Sequence, residues 1–260
     1  MFSKIKNKLI FLLIILIISV LIGLNKTSTQ LIGVNFVVTE YEIPLYLKFY
    51  NFYGRHINYG SLVTKIIKNS ENDRNKVIDL SKWVRNNIQK IPKGLDIIDS
   101  HPLTIVERRV GTKDQFADLL SVLIVYADLD SFFMSTNDSN FKSSFVFFNL
   151  NKIWSLIDPY YGIIFLNEHG NFASINELKT GDWSFFTLDM NIIDSNNFGS
   201  LFNNKFTSVE KVKAYYMSQF HKLPTQEIIE STNKFDLGGR SYIQNPIGRL
   251  KFMLRSLKTI

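Results

Sequence analysis

The apolar positions of the chain fall into patterns of different period. From Leu9 to Leu24 the residues are aliphatic almost without a break, interrupted only by Ser19 and Gly23, and Lys4, Lys6 and Lys8 precede them. Basic residues followed by an apolar run mark an export or anchoring signal. At 1.5 Å of helix rise per residue the run is slightly short for a hydrocarbon layer of ~30 Å, but Lys8 and Lys26 can snorkel to complete it. No small-x-small cleavage site follows, which favours an uncleaved anchor over a removed signal peptide. The positive-inside rule then puts the lysines in the cytoplasm and the rest of the chain outside the membrane. Asn25 to Gln30 reads as a polar linker, so the segment 1–30 is anchor and linker, and a single domain is expected over 31–206.

Helical spacing returns at Asp73 to Lys90, where Val77, Leu80, Val84 and Ile88 share one face and Trp83 widens it. Pro92 and Gly94 end that helix, and an irregular stretch runs through His101-Pro102 to Arg109. Thr112 and Gln115 have the spacing of a capping box ahead of Phe116, Leu119, Leu120, Leu123 and Ala127, with Gly111 supplying a sharp turn before it. The period then drops to two. An extended segment is expected around Phe132 to Met134, and Phe145–Phe148 and Ile153–Ile157 read as strands of a hairpin closing at Asn149-Leu150-Asn151-Lys152. Symmetric closure sets Phe147 against Trp154 and Ser143 against Asp158. Two helices are expected in the remainder, 207–260. One starts at Ser208 with Val209, Val212, Tyr215, Tyr216 and Phe220 on one side and stops before Pro224. The other starts at Asn245-Pro246 with Ile247, Leu250, Met253, Leu254 and Leu257 as a stripe flanked by Arg249, Lys251, Arg255 and Lys258. Such a basic amphipathic helix suits either a membrane interface or docking on the core.

Composition narrows the function. Apolar residues make up 45% of the 260, including 22 Phe, so the chain has material for a packed interior and no disorder signature. The net charge of +7 is spread along the chain, with no block or motif that reads nucleic acid. The sequence contains no cysteine, which excludes thiolate nucleophiles, disulfides and Cys-ligated zinc. His56, His101, His169 and His221 form no ligand-spaced pair, so neither metal nor other cofactor is expected. Trp83, Trp154 and Trp183 stand in apolar runs and read as core.

The segments "VERRVGTKDQFADLLSVLIVYADLD" and "SSFVFFNLNKIWSLIDPYYGIIF", with "LSKWVRNNIQKIP" upstream, together resemble the transglutaminase-like superfamily of papain-like folds. Its core motif runs as Gly-x-Cys opening a helix, His-x-Trp on a strand, then Trp shortly followed by Asp-Pro. The resemblance covers about Asp73 to Phe165. It implies an α+β fold with a helix packed on an antiparallel sheet. It places the nucleophile position at Lys113, the general-base position at Ser143 and the orienting acid at Asp158. Only the acid remains, so the resemblance implies a catalytically inactive member, a scaffold or binding module on the outer membrane face with an unknown protein or polysaccharide partner. Two alternatives stand beside it. One is an enzyme with a displaced site using Ser143 or Ser144, or His101 or His169. The other is a binder of anionic polysaccharide or lipid through Arg108, Arg109 and Lys113, which lie before and at a helix N-terminus. Lys113 is expected to approach Asp158, with Ser143 hydrogen-bonded to the same carboxylate.

Overall fold

A computed structural model describes residues 2–34, 37–92, 94, 95, 97, 101–138, 141–188 and 208–231. Helix α1 (Phe2–Leu24) leads into a hairpin of β1 (Thr27–Val34) and β2 (Val37–Pro44), then helices α2 (Leu45–Ile66) and α3 (Asp73–Asn87). Strand β3 (Gln89–Lys90), helix α4 (Pro102–Arg108), strand β4 (Val110–Gly111) and helix α5 (Lys113–Tyr126) follow. Next come β5 (Ser131–Asp138), β6 (Phe141–Leu150), β7 (Ile153–Asp158), β8 (Ile163–Leu166), helix α6 (Ile175–Thr180), β9 (Ser184–Thr187), α7 (Val209–Phe220) and α8 (Gln226–Ser231). Strands β5 to β9 form one antiparallel sheet whose spatial order is their chain order. The mixture of helices with an antiparallel sheet is α+β, as expected.

Both faces of that sheet are buried, because successive residues of a strand point to opposite sides. Phe133, Val146, Phe148, Ile157 and Ile164 face a cluster built by α3 and α5, in which Val77, Leu80, Val84, Phe116, Leu119, Leu120 and Leu123 are fully buried. Phe132, Phe145, Phe147, Leu156, Ile163 and Phe165 face a second cluster completed by Trp183 and by Val212, Tyr216 and Phe220 of α7. Trp154 and Trp183 lie in this second core and Trp83 packs against the first. On α7, Val209 is half exposed rather than part of the buried side.

Local signals account for the helix starts. Asn72 caps α3 by accepting from the Asn75 N–H at 2.9 Å, and the Gln115 side chain accepts from the Thr112 N–H at 3.0 Å ahead of α5. Helix α3 stops at Asn87 rather than Lys90, since Gln89 and Lys90 pair in parallel with Val110 and Gly111. The stretch expected to be irregular after His101 is helix α4, with Pro102 in its first turn and the His101 ring accepting from the Leu103 N–H. Pro fits there because the N–H it lacks would be unpaired in any case. The residues read as a linker, Asn25 to Gln30, run into strand β1 from Thr27. Gly111 is not the sharp turn. Arg109 takes the left-handed conformation, φ 59°, whereas Gly111 lies in β4, where an added Cβ would meet Phe116 at an ordinary contact distance of 3.4 Å.

The β6–β7 hairpin differs from expectation by two positions. Phe147 faces Leu156 and Asn149 faces Trp154, and the ladder with β7 begins at Val146, so Ser143 is not opposite Asp158. The turn is Asn151-Lys152, both with positive φ, 53° and 68°. That is the backbone of the two-residue turn favoured in hairpins, and Asn tolerates it better than Leu150 would. A shift of two keeps each side chain on its face, so the apolar alternation could not reveal it.

Among the described residues, the helix over Lys6–Leu24 is long and apolar enough to cross a membrane, and none of that window is buried. Length and composition of this kind also fit a signal sequence. The helix expected from Asn245 lies outside the described residues.

Candidate functional site

The parallel bridge between β3 and β4 positions the cations of the site. The Gln89 N–H donates to the Arg109 carbonyl at 2.7 Å and the Ile91 N–H to the Gly111 carbonyl at 3.1 Å. This strap joins the end of α3 to the start of α5 and so brings Lys90 beside Lys113. Their ammonium groups lie over the same two rings, Lys90 at 4.7 and 4.9 Å and Lys113 at 5.5 and 5.2 Å from the centroids of Tyr160 and Tyr161. The two rings meet edge to face, with centroids 5.1 Å apart. Cations at such distances are held by the ring quadrupole.

Beneath them is Asp158, at the end of β7 and 1% exposed. One carboxylate oxygen accepts from the Tyr160 and Tyr161 N–H groups, both at 3.1 Å, so the side chain forms the turn that follows it. The other oxygen accepts from the Tyr216 hydroxyl at 2.9 Å. Burial pushes the Asp158 carboxyl above the usual carboxylate range, while the Tyr161 N–H, the Tyr216 hydroxyl and the charges of Lys113 and Lys90 pull it partly back. Burial, and then the adjacent carboxylate, raise Tyr216, Tyr160 and Tyr161, so these phenols remain protonated donors.

Ser143 is likewise 1% exposed. Its hydroxyl is bonded to the Tyr215 hydroxyl, which corrects the expected hydrogen bond to Asp158. The register explains the change: Ser143 lies beyond the last β6–β7 pair, and α7 crosses that end of the sheet. Its neighbour Thr136 donates to Gln219, also on α7, at 2.7 Å. The Lys113 ammonium lies over the Tyr160 and Tyr161 rings, and its charge acts on the Asp158 carboxyl. Of the two arginines, Arg108 braces the loop by donating to the Val110 carbonyl at 2.8 Å and to Gln115 at 3.2 Å. Arg109 is exposed.

The histidines are elsewhere. His56 pairs with Tyr126 at 3.0 Å, and Arg55 contacts the His101 ring at 2.7 Å. Burial pushes the Tyr126 hydroxyl up to about 12. His169 is on an exposed turn. Among the described residues, no three His, Asp or Glu side chains come together to hold a metal ion.

Sequence reasoning found Lys113, Ser143 and Asp158 but missed Lys90, Tyr215 and Tyr216 as their partners. Asp158-Pro159-Tyr160-Tyr161-Gly162 reads from sequence as a strand end and turn in which the Asp side chain bonds the backbone that follows, and the Tyr160 and Tyr161 N–H groups are its donors. Tyr215-Tyr216 carries no comparable local signal. Its role depends on α7 crossing the sheet from more than fifty positions downstream.

Neither a family model nor a curated protein matches the chain. Two solved structures overlap parts of it. One is a transglutaminase structure, 17% identical with a TM-score of 0.34, covering 51% of this chain and 43% of that one. The other is a candidate protease from Parabacteroides distasonis, also 17% identical, with a TM-score of 0.33 over 39% of this chain and 23% of that one. In each case the match spans less than half of the other protein.

Proposed function

We propose that this chain is a transglutaminase-like domain without catalytic activity, held at the outer face of the cytoplasmic membrane by α1 and acting there as a scaffold or binding module. The observation that carries this reading is the internal satisfaction of the site. The Asp158 carboxylate is spent on two backbone N–H groups and one phenol, and the Ser143 hydroxyl on Tyr215. Acyl transfer needs a nucleophile beside a base that a third group orients. Here the position of the nucleophile holds an ammonium resting on aromatic rings, and that of the base holds a buried hydroxyl. The orienting acid has become a turn former.

The purified full chain should release no product in transamidation and peptide-hydrolysis assays. Turnover that is abolished by Lys113→Ala or Ser143→Ala would overturn the reading. A second reading, binding of anionic polysaccharide or lipid, draws on the convergence of Lys90 and Lys113 over one pair of rings, with Arg109 exposed nearby in sequence. Unchanged binding to acidic polysaccharide and to anionic vesicles after replacing Lys90, Arg109 and Lys113 by Ala would remove it.

A further inference from the structure

Helix α2 carries large apolar side chains on the side turned away from the protein. Tyr46, Phe49, Tyr50, Tyr53 and Ile57 are 49, 57, 76, 66 and 50% exposed. At 3.6 residues per turn they fall within an arc of about 100°, so they form one continuous stripe. The opposite side of the same helix holds the buried Tyr59 and Val63, with Leu62 and Ile66 packed on the core. The cations of this half of the helix are off the stripe. Lys48 donates to the Ser28 hydroxyl at 2.8 Å and the Thr29 carbonyl at 2.7 Å, and Arg55 contacts His101. Neither cation of this half of α2 lies on the stripe, and an exposed apolar patch of this kind marks an interaction surface.

Its position identifies the occupant. The Leu45 N–H donates to the Lys26 carbonyl at 2.9 Å, so the β1–β2 hairpin leaves and returns to one point, and α2 begins where α1 ends. Tyr and Phe side chains settle in the layer between lipid headgroups and acyl chains, where a ring can be buried while a hydroxyl stays wet. We infer that the first three turns of α2 lie along the bilayer surface, with this aromatic stripe inserted in the interfacial layer beside the exit of α1. An interfacial helix sinks its apolar face by roughly 5–10 Å, which suits one row of tyrosine and phenylalanine rings. The inference rests on the reading of α1 as a membrane span. The α2 face opposite the stripe is the one that packs on the core, so the helix would hold the domain close to the lipid.

The absence of native cysteine makes the test direct. Nitroxide labels are placed on the full chain at Tyr50→Cys and Tyr53→Cys, with Leu16→Cys as the depth reference and Glu168→Cys as the aqueous one. The chain is reconstituted in vesicles of phosphatidylcholine and phosphatidylglycerol, and each label's accessibility to oxygen is compared with that to a soluble nickel chelate. The expected result is an oxygen-to-nickel ratio several-fold higher at residues 50 and 53 than at 168, and lower than at 16. A deep Leu16 label with positions 50 and 53 matching 168 overturns the inference and leaves the span intact. Exclusion of both reagents from 50 and 53, with dipolar broadening between copies, overturns it in favour of a second copy. An aqueous Leu16 label removes the span reading and this inference with it.

Discussion

The two faces of the five-stranded sheet are both core, yet they are made differently. The face under α3 and α5 is mainly aliphatic, and its helical residues recur at three and four positions within single helices. The other face is aromatic. Phe165 has ring contacts with Trp183, Tyr216 and Phe220 at 5.3, 5.0 and 5.0 Å, and the last two come from α7, far along the chain from the sheet. Phe132 and Phe147, direct cross-strand partners, stack at 4.7 Å. Aliphatic packing needs shape and burial, whereas aromatic packing adds orientation and, through the tyrosine hydroxyls, a polar edge. That edge is where Asp158 and Ser143 find their partners. The helical side supplies the strap that holds Lys90 and Lys113, and the aromatic face supplies the tyrosine partners of Asp158 and Ser143.

The largest expected effect tests whether the aromatic face is core to the same degree. Phe165→Ala should cost about 3–5 kcal/mol in urea denaturation, because it empties the centre of that cluster. A loss below about 1 kcal/mol would show that the face had collapsed to fill the space, and would break the comparison.

A smaller effect separates packing from the polar edge. Tyr216→Phe keeps the ring but removes the donor to Asp158, and should cost about 1–3 kcal/mol near neutral pH. The sign of its pH dependence follows from the raised Asp158 pKa. A carboxyl whose folded pKa lies above its unfolded value stabilises the fold below the unfolded value and loses that contribution as pH rises through the folded one. Losing the Tyr216 hydroxyl raises the folded value further. The penalty of Tyr216→Phe should therefore shrink as the pH falls into the carboxylate range, measured as the wild-type minus variant difference. A constant penalty would mean that Asp158 does not sense that hydroxyl.

The smallest effect lies on the other face. Asn72→Ala removes the α3 cap and should cost about 1 kcal/mol, with the same pH profile as the wild type. A changed profile would mean that the start of α3 influences the Asp158 carboxyl as well as its end does.

The contrast between the faces also accounts for what could be read from the sequence. Helices α3 and α5, the cap at Thr112 and the cores of strands β5, β6 and β7 were legible, because each rests on neighbours within a few residues, whereas β1 to β4, β8 and β9 were not read. The register of the β6–β7 hairpin was not, since apolar alternation does not distinguish a shift of two and the deciding fact was the backbone at Asn151-Lys152. The motif spacing drew attention to Asp158 and Ser143 but not to Tyr215 and Tyr216, whose positions depend on how α7 crosses the sheet. Helix α2 was missed altogether. Its two sides are both apolar, one for the core and one exposed, so it lacks the polar stripe by which an amphipathic helix is recognised.

The sequential order of β5 to β9 has a consequence for biosynthesis. Each strand of a meander pairs with the one made just before it, so the sheet can assemble while the chain is still emerging, with short loops to close from β5 to β8 and a longer connection through α6 before β9. The aromatic side must wait longer. Until Val209 to Phe220 has been translated, Phe145, Phe165 and Trp183 have no cover from that helix and Asp158 lacks one of its three donors. During synthesis the half-finished domain therefore presents a sticky aromatic surface, and a ribosome stalled before α7 would leave the species most prone to aggregate.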